Sequence, residues 1–292
     1  MTNSYKIVFS SASSSGLART FEISPESCAR LIEGGLSGFD CTGFDVRISP
    51  YASCVGGYPS RRRFGERVLE LTFELVGGGE KSDAARHTLV SMMNPGNDCS
   101  LEVNLYGVSR RIGVIPYDEA VFTRGGLSDS IEATLSFIAP AVFFEDSLSV
   151  TRIFRDCSPM LTFPMNFISG AGMVAGMYRT TDSAEIDNPG DGECGIIATI
   201  KASGGNVVNP GIKLGEEYIL CQTVLSDSQT LVIDTRTHHK SIFLDGERYS
   251  SFDKGSTFFS LPAGQSTVTV TCQSGGEFID AQIEYTPLYF GM

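Results

Sequence analysis

The chain has 292 residues, enough for two domains of about 150 residues, each able to bury a core without metals or disulfide staples. Hydrophobic residues make up 41% and charged residues 19%, a globular balance that excludes a disordered chain. The net charge of -12, from 34 acidic and 22 basic residues, repels phosphate and forgoes counterion release, which argues against sequence-specific nucleic acid binding.

Met1 to Lys6 leads into only a short apolar run, Ile7-Val8-Phe9, so no signal peptide is expected. No window approaches the roughly 18 apolar residues of a membrane helix, and the expectation is a soluble protein that uses no membrane. The cysteines at 28, 41, 54, 99, 157, 194, 221 and 272 stand singly, without CxxC spacing. They read as free thiols of a protein made in a reducing cytoplasm. Thirty-two glycines, with abundant Ser, Thr and Val, point to strands and many turns.

In chain order, Leu69, Leu71, Phe73 and Leu75 alternate with Glu70, Thr72 and Glu74, as a half-buried strand requires. A helix is predicted over about 82–93: Ser82 stands as N-cap, Ala85, Leu89, Met92 and Met93 share a stripe, and Asn94-Pro95-Gly96 stops it. Strands follow at Leu101–Leu105 and Ile131–Phe137. The boundary is placed near 147, giving an N-terminal domain of 1–147, sandwich-like with one helix, and a C-terminal domain of 148–292. In the second domain short strands are separated by turns such as Asn188-Pro189-Gly190-Asp191-Gly192, Asn209-Pro210-Gly211 and Asp245-Gly246. Val268 and Val270, then Ile279, Ala281, Ile283 and Tyr285, alternate with polar residues. The class is mainly β, with a jelly-roll or lectin-like β-sandwich in the second half.

Motifs that carry chemistry are weak. Val232-Ile233-Asp234-Thr235-Arg236 has an aspartic-protease-like Asp-Thr, but Arg236 replaces the glycine and there is no second copy to share a proton. His238-His239, with Asp245 or Glu247, could ligate a metal only if the turn bends both rings to one side. Asp187, Asp191 and Glu193 could hold calcium, yet the spacing is that of a strong turn. Gly170 to Gly176 lacks the Rossmann pattern. No nucleophile–base pairing is visible, so neither catalysis nor a cofactor or metal is expected. Arg61-Arg62-Arg63-Phe64 is the single basic cluster of an acidic chain, either a solvated loop or a contact for an acidic face of another subunit.

The second half contains, in order, Asn188-Pro189-Gly190-Asp191, Asn209-Pro210-Gly211-Ile212, Ile233-Asp234-Thr235, Leu244-Asp245-Gly246, Phe258-Phe259-Ser260-Leu261-Pro262-Ala263-Gly264 and a closing Tyr289-Phe290-Gly291. This ordered set resembles the C-terminal domain of the distal tail (Dit) proteins of siphophages. The first half agrees: Gly38-Phe39-Asp40, Arg67-Val68-Leu69-Glu70-Leu71 and Leu135 to Pro140 resemble that family's turn, strand entry and closing strand. Ala139 and Ala141 stand where the family has Cys and Asp, and Phe258 where Trp is common.

The resemblance implies a galectin-like second domain and a non-enzymatic structural protein of the virion, made in the host cytoplasm. It implies a homohexameric ring joining the tail tube protein to the tail-tip hub, with receptor-binding proteins docking on outward second domains. An extended arm of the first domain contributes to ring closure in that family, which places Arg61, Arg62, Arg63 and Phe64 at the subunit interface. An acidic lumen would let DNA slide through. The alternative is a carbohydrate-binding host adhesin; the chain has no Trp, leaving Tyr178, Tyr218 and Tyr249 to stack on sugars.

Overall fold

The computed structural model describes residues 5–13, 16–124, 130–159, 176–180 and 183–292. The chain divides into two compact units, Met1–Ser147 together with Leu288–Met292, and Leu148–Pro287. Residues 288–292, which the sequence pattern assigns to the second domain, thus pair with the first unit.

In the first unit the elements run β1 (Tyr5–Ala12), β2 (Ala18–Ile23), β3 (Ala29–Ser37), β4 (Phe44–Pro50), β5 (Gly57–Phe64), β6 (Arg67–Leu75), α1 (Gly79–Met92), β7 (Asp98–Leu105), β8 (Val108–Pro116), β9 (Val121–Arg124), β10 (Ile131–Ala139) and β11 (Phe144–Asp146). Antiparallel pairing gives the order β2-β1-β7-β8-β10-β6-β3, with β9 on β10, and β11 bridging β8 to the strand Leu288–Tyr289. The alternation read at 69–75 buries Leu69, Leu71, Phe73 and Leu75 completely. Leu135 and Phe137 from β10, Ile7 and Phe9 from β1 and Leu101 and Val103 from β7 complete the same core. Phe9 and Phe137 stack with ring centroids 5.1 Å apart.

The helix starts earlier than its sequence signal. Gly78 is the N-cap residue, and Ser82 lies inside the first turn with its hydroxyl buried and without a partner among the described residues, rather than capping. The reason is backbone geometry: Gly78 holds φ 88°, which lets the chain turn into the helix before any capping side chain is reached. Ala85, Leu89 and Met92 face the core as the stripe predicts.

The second unit contains β12 (Val150–Ile153), β13 (Arg155–Pro159), β14 (Gly176–Thr180), β15 (Ser183–Asn188), β16 (Ile196–Ala202), β17 (Val207–Val208), β18 (Gly211–Leu214), β19 (Glu217–Leu220), β20 (Val224–Leu225), β21 (Thr230–Asp234), β22 (Ser241–Leu244), β23 (Glu247–Arg248), β24 (Gly264–Thr271) and β25 (Ile279–Tyr285). Six strands form one sheet, β12-β25-β16-β21-β22-β23, and four form another, β15-β24-β18-β19. Ile196, Ala198, Ile200, Leu231, Ile233 and Ile283 are buried from the first sheet, and Ile186, Ile212, Ile219 and Val268 from the second. The chain is mainly β, as its alternation implies, with sheets that present one apolar face to a core and one polar face to water.

Candidate functional site

Among the described strands β4 and β5 pair only with each other, forming a hairpin arm outside the first unit's ten-stranded sheet. Alternation sets its two faces. Phe44, Val46 and Ile48 lie on one face and are 66%, 55% and 69% exposed. Such a stripe in water is the reverse of a hairpin that packs on its own core. A bare two-stranded ribbon is marginal in water, and covering these three side chains would contribute on the order of 3–5 kcal/mol.

Asp45, Arg47, Arg61 and Arg63 occupy the other face through the pairs Asp45↔Arg63 and Arg47↔Arg61. One carboxylate serves three guanidiniums: Arg63 Nε is 2.8 Å from Asp45 Oδ2, Arg61 Nε 3.2 Å, and Arg47 Nε 3.9 Å from Oδ1. Two positive charges are left over there, and Arg62, on the apolar face opposite Val46, adds a third. Arg61, Arg62 and Arg63 are thus a strand of the arm, not a loop.

Phe64 closes the strand at the arm's root. Its ring lies 5.8 Å from Phe44, 4.9 Å edge-on from Phe143 and 5.0 Å from Phe290, while Phe143 and Phe290 are 5.3 Å apart. The backbone crosses at two glycines, where Gly65 N–H donates to the Gly43 carbonyl at 2.6 Å. Residues 288–292 complete the root. Arg67, 1% exposed, lies 4.9 Å over the Phe144 ring and donates to the carbonyls of Gly38, at 2.9 Å, and Phe290. Burial pushes its guanidinium below the usual arginine range, and its Nε has no partner among the described residues. Arg110 lies 3.7 Å over Tyr289 and donates to the Gly291 carbonyl. Met292 N–H donates to the Phe39 carbonyl at 2.9 Å.

The remaining sequence candidates are dispersed. Asp234 is held by Arg236, whose Nη2 lies 2.7 Å from Oδ2, and buried Thr235 bonds the Ile196 backbone, so this is a strand end. His238 sits at φ 68° in a turn after β21, and no group of three or more potential metal ligands occurs among the described residues. In the turn after β15, buried Asn188 donates to the Gly192, Leu261 and Pro262 carbonyls and accepts from Gly190 N–H. These bonds organise the segment that carries Asp191 and Glu193. Tyr218 is tied to Asp253 at 2.8 Å and Tyr249 to the Gln222 carbonyl at 2.7 Å. The run 170–175 lies outside the described residues, as do the side chains of Tyr178 and Cys157.

Sequence reasoning missed Phe44, Val46, Ile48 and Asp45. The signal was there, in the alternating Phe44-Asp45-Val46-Arg47-Ile48 placed across from an arginine run, but alternation alone does not say that the apolar face meets water.

Residues 189–289 match the model of the siphovirus-type tail component, C-terminal domain. The whole chain resembles the crystal structure of SPP1 Dit, described as a paradigm of the hub adsorption apparatus in phages that infect Gram-positive bacteria. That match covers 96% of this chain and 98% of the other at 13% identity, with a TM-score of 0.64. Chains of the phage P2 baseplate in its activated conformation match with calcium at a TM-score of 0.52 and with strontium at 0.51. They are 13% and 12% identical, each covering 98% of both chains. No curated protein matches the sequence. The segment 189–289 is thus of the siphovirus-type tail component class. Over the whole chain the fold is like that of SPP1 Dit, and residues 189–289 carry the tail-component domain.

Proposed function

We propose that the chain is a non-enzymatic structural subunit that closes a homohexameric ring at the tail tip. The ring joins the tail tube protein to the tail-tip hub, and the second unit offers a docking surface for receptor-binding proteins. The observation that carries this reading is the arm: an exposed Phe44–Val46–Ile48 stripe beside Arg61, Arg62 and Arg63. An element that leaves an apolar stripe bare and meets a different surface on the next copy makes a head-to-tail contact, and such contacts give a ring where the rotation closes. The family match and the likeness to baseplate chains support the setting.

The test is the mass of the purified full chain by light scattering, followed by negative-stain imaging. A six-subunit particle with a central hole is the expected result. A monomer at every concentration, unchanged on adding tail tube and hub proteins, would remove the ring.

A further inference from the structure

Rows of residues opposite one another across β3, β6, β10, β8 and β9 share the outward face of the first unit's sheet. Val68, Ile138 and Ile115 form one row, Glu70 and Ser136 the next, Thr72, Thr134 and Val121 a third, and Glu74, Glu132 and Thr123 a fourth. This face is acidic and partly apolar. Glu74 and Glu132 stand directly opposite each other, a like-charge pair that destabilises a ladder when nothing neutralises it. Arg30 stands across from Glu74 on β3, yet none of Glu70, Glu74 and Glu132 makes an ion pair with a described residue. Val68, Ile115 and Val121 are 38%, 39% and 48% exposed.

The arm has the complementary make-up. It carries four arginines against one aspartate beside a bare apolar stripe, while the sheet face carries three glutamates against one arginine beside exposed Val and Ile. Resting on the ring reading above, we infer that the arm of one copy lies on the β6–β10 face of the next. Phe44, Val46 and Ile48 cover Val68, Ile115 and Val121. Arg62, and Arg61 and Arg63 reaching over the strand edge, neutralise Glu70, Glu74 and Glu132. The partner is a second copy of this chain, and the Glu74–Glu132 repulsion is relieved only on assembly.

Two full-chain variants test this: an arm variant, Arg61→Glu with Arg62→Glu and Arg63→Glu, and a face variant, Glu70→Lys with Glu74→Lys and Glu132→Lys. Each alone should raise the concentration at which the ring falls apart by about tenfold or more, in line with the loss of charge-assisted contacts. Circular dichroism should stay that of the wild type, since none of the six side chains is buried in the separate chain. An equimolar mixture should restore the ring, because each reversed arm then meets a reversed face and alternation closes an even ring. A face variant that assembles as the wild type does, or a mixture that stays apart, overturns the assignment and leaves the ring standing. A wild-type chain that never assembles overturns both.

Discussion

Arg67 is the most constrained side chain of the first unit, a charge buried against Phe144 with its hydrogen bonds spent on the Gly38 and Phe290 carbonyls. Arg67→Leu keeps the volume but orphans both carbonyls, and should cost about 2–4 kcal/mol in urea denaturation. A loss under about 1 kcal/mol would show that water replaces it freely. Gly291 is equally specific, because a Cβ there would overlap the Asp40 carbonyl, and Gly291→Ala should loosen the same corner. The thiols divide by burial. Cys28, Cys41 and Cys54 are exposed, while burial raises the Cys99 thiol and pushes those of Cys194 and Cys221 up to about 12. A thiol-labelling reagent should modify the exposed three at once and Cys99, Cys194 and Cys221 only on unfolding. The pH consequence has a definite sign. Between the ordinary thiol value of 9.0 and about 12 the unfolded chain has lost protons that the native Cys194 and Cys221 keep. Their contribution is therefore intact below pH 9 and lost as pH rises through that window, and Cys194→Ala with Cys221→Ala should flatten the alkaline arm of the stability curve.

At the scale of elements, the arm is the segment whose removal should separate folding from assembly. Joining Gly43 to Gly65 and deleting 44–64 takes out a hairpin that pairs with no other described strand. The shortened chain should keep its β circular dichroism yet run as a monomer; a ring without the arm would end its role. Strands were readable in the sequence because burial on one face imposes period two, and Leu69 to Leu75 and Ile131 to Phe137 did so cleanly. The helix was readable as a stripe but its start was not, since Gly78 replaces a capping side chain with backbone freedom. For the arm, the arginines stood out by composition, whereas their partner Asp45 and the stripe did not. Period two looks the same whether the apolar face meets a core or a neighbouring molecule. The Glu74–Glu132 opposition is invisible without register, because 57 residues of chain lie between two carboxylates that the β6–β10 ladder brings face to face.

Over the whole molecule, the second unit leaves the first after Ser147 and returns at Leu288, and the paired Glu145 and Leu288 put those two crossings side by side on one ladder. A chain in which a short Gly/Ser linker replaces 148–287 should therefore still fold its first unit and assemble. If that chain fails to form a ring, the second unit contributes to closure itself. The same topology sets a timetable for synthesis. Residues 288–292 emerge about 140 residues after Ser147, which at about 5–20 residues per second is a delay on the order of ten seconds. Until then Arg67 and Arg110 lack the carbonyls of Phe290 and Gly291, and Phe64 lacks the Phe290 ring at the arm's root. A ribosome-bound chain thus carries an unfinished root until the second unit has been translated, and on the ring reading it cannot join its neighbours before then.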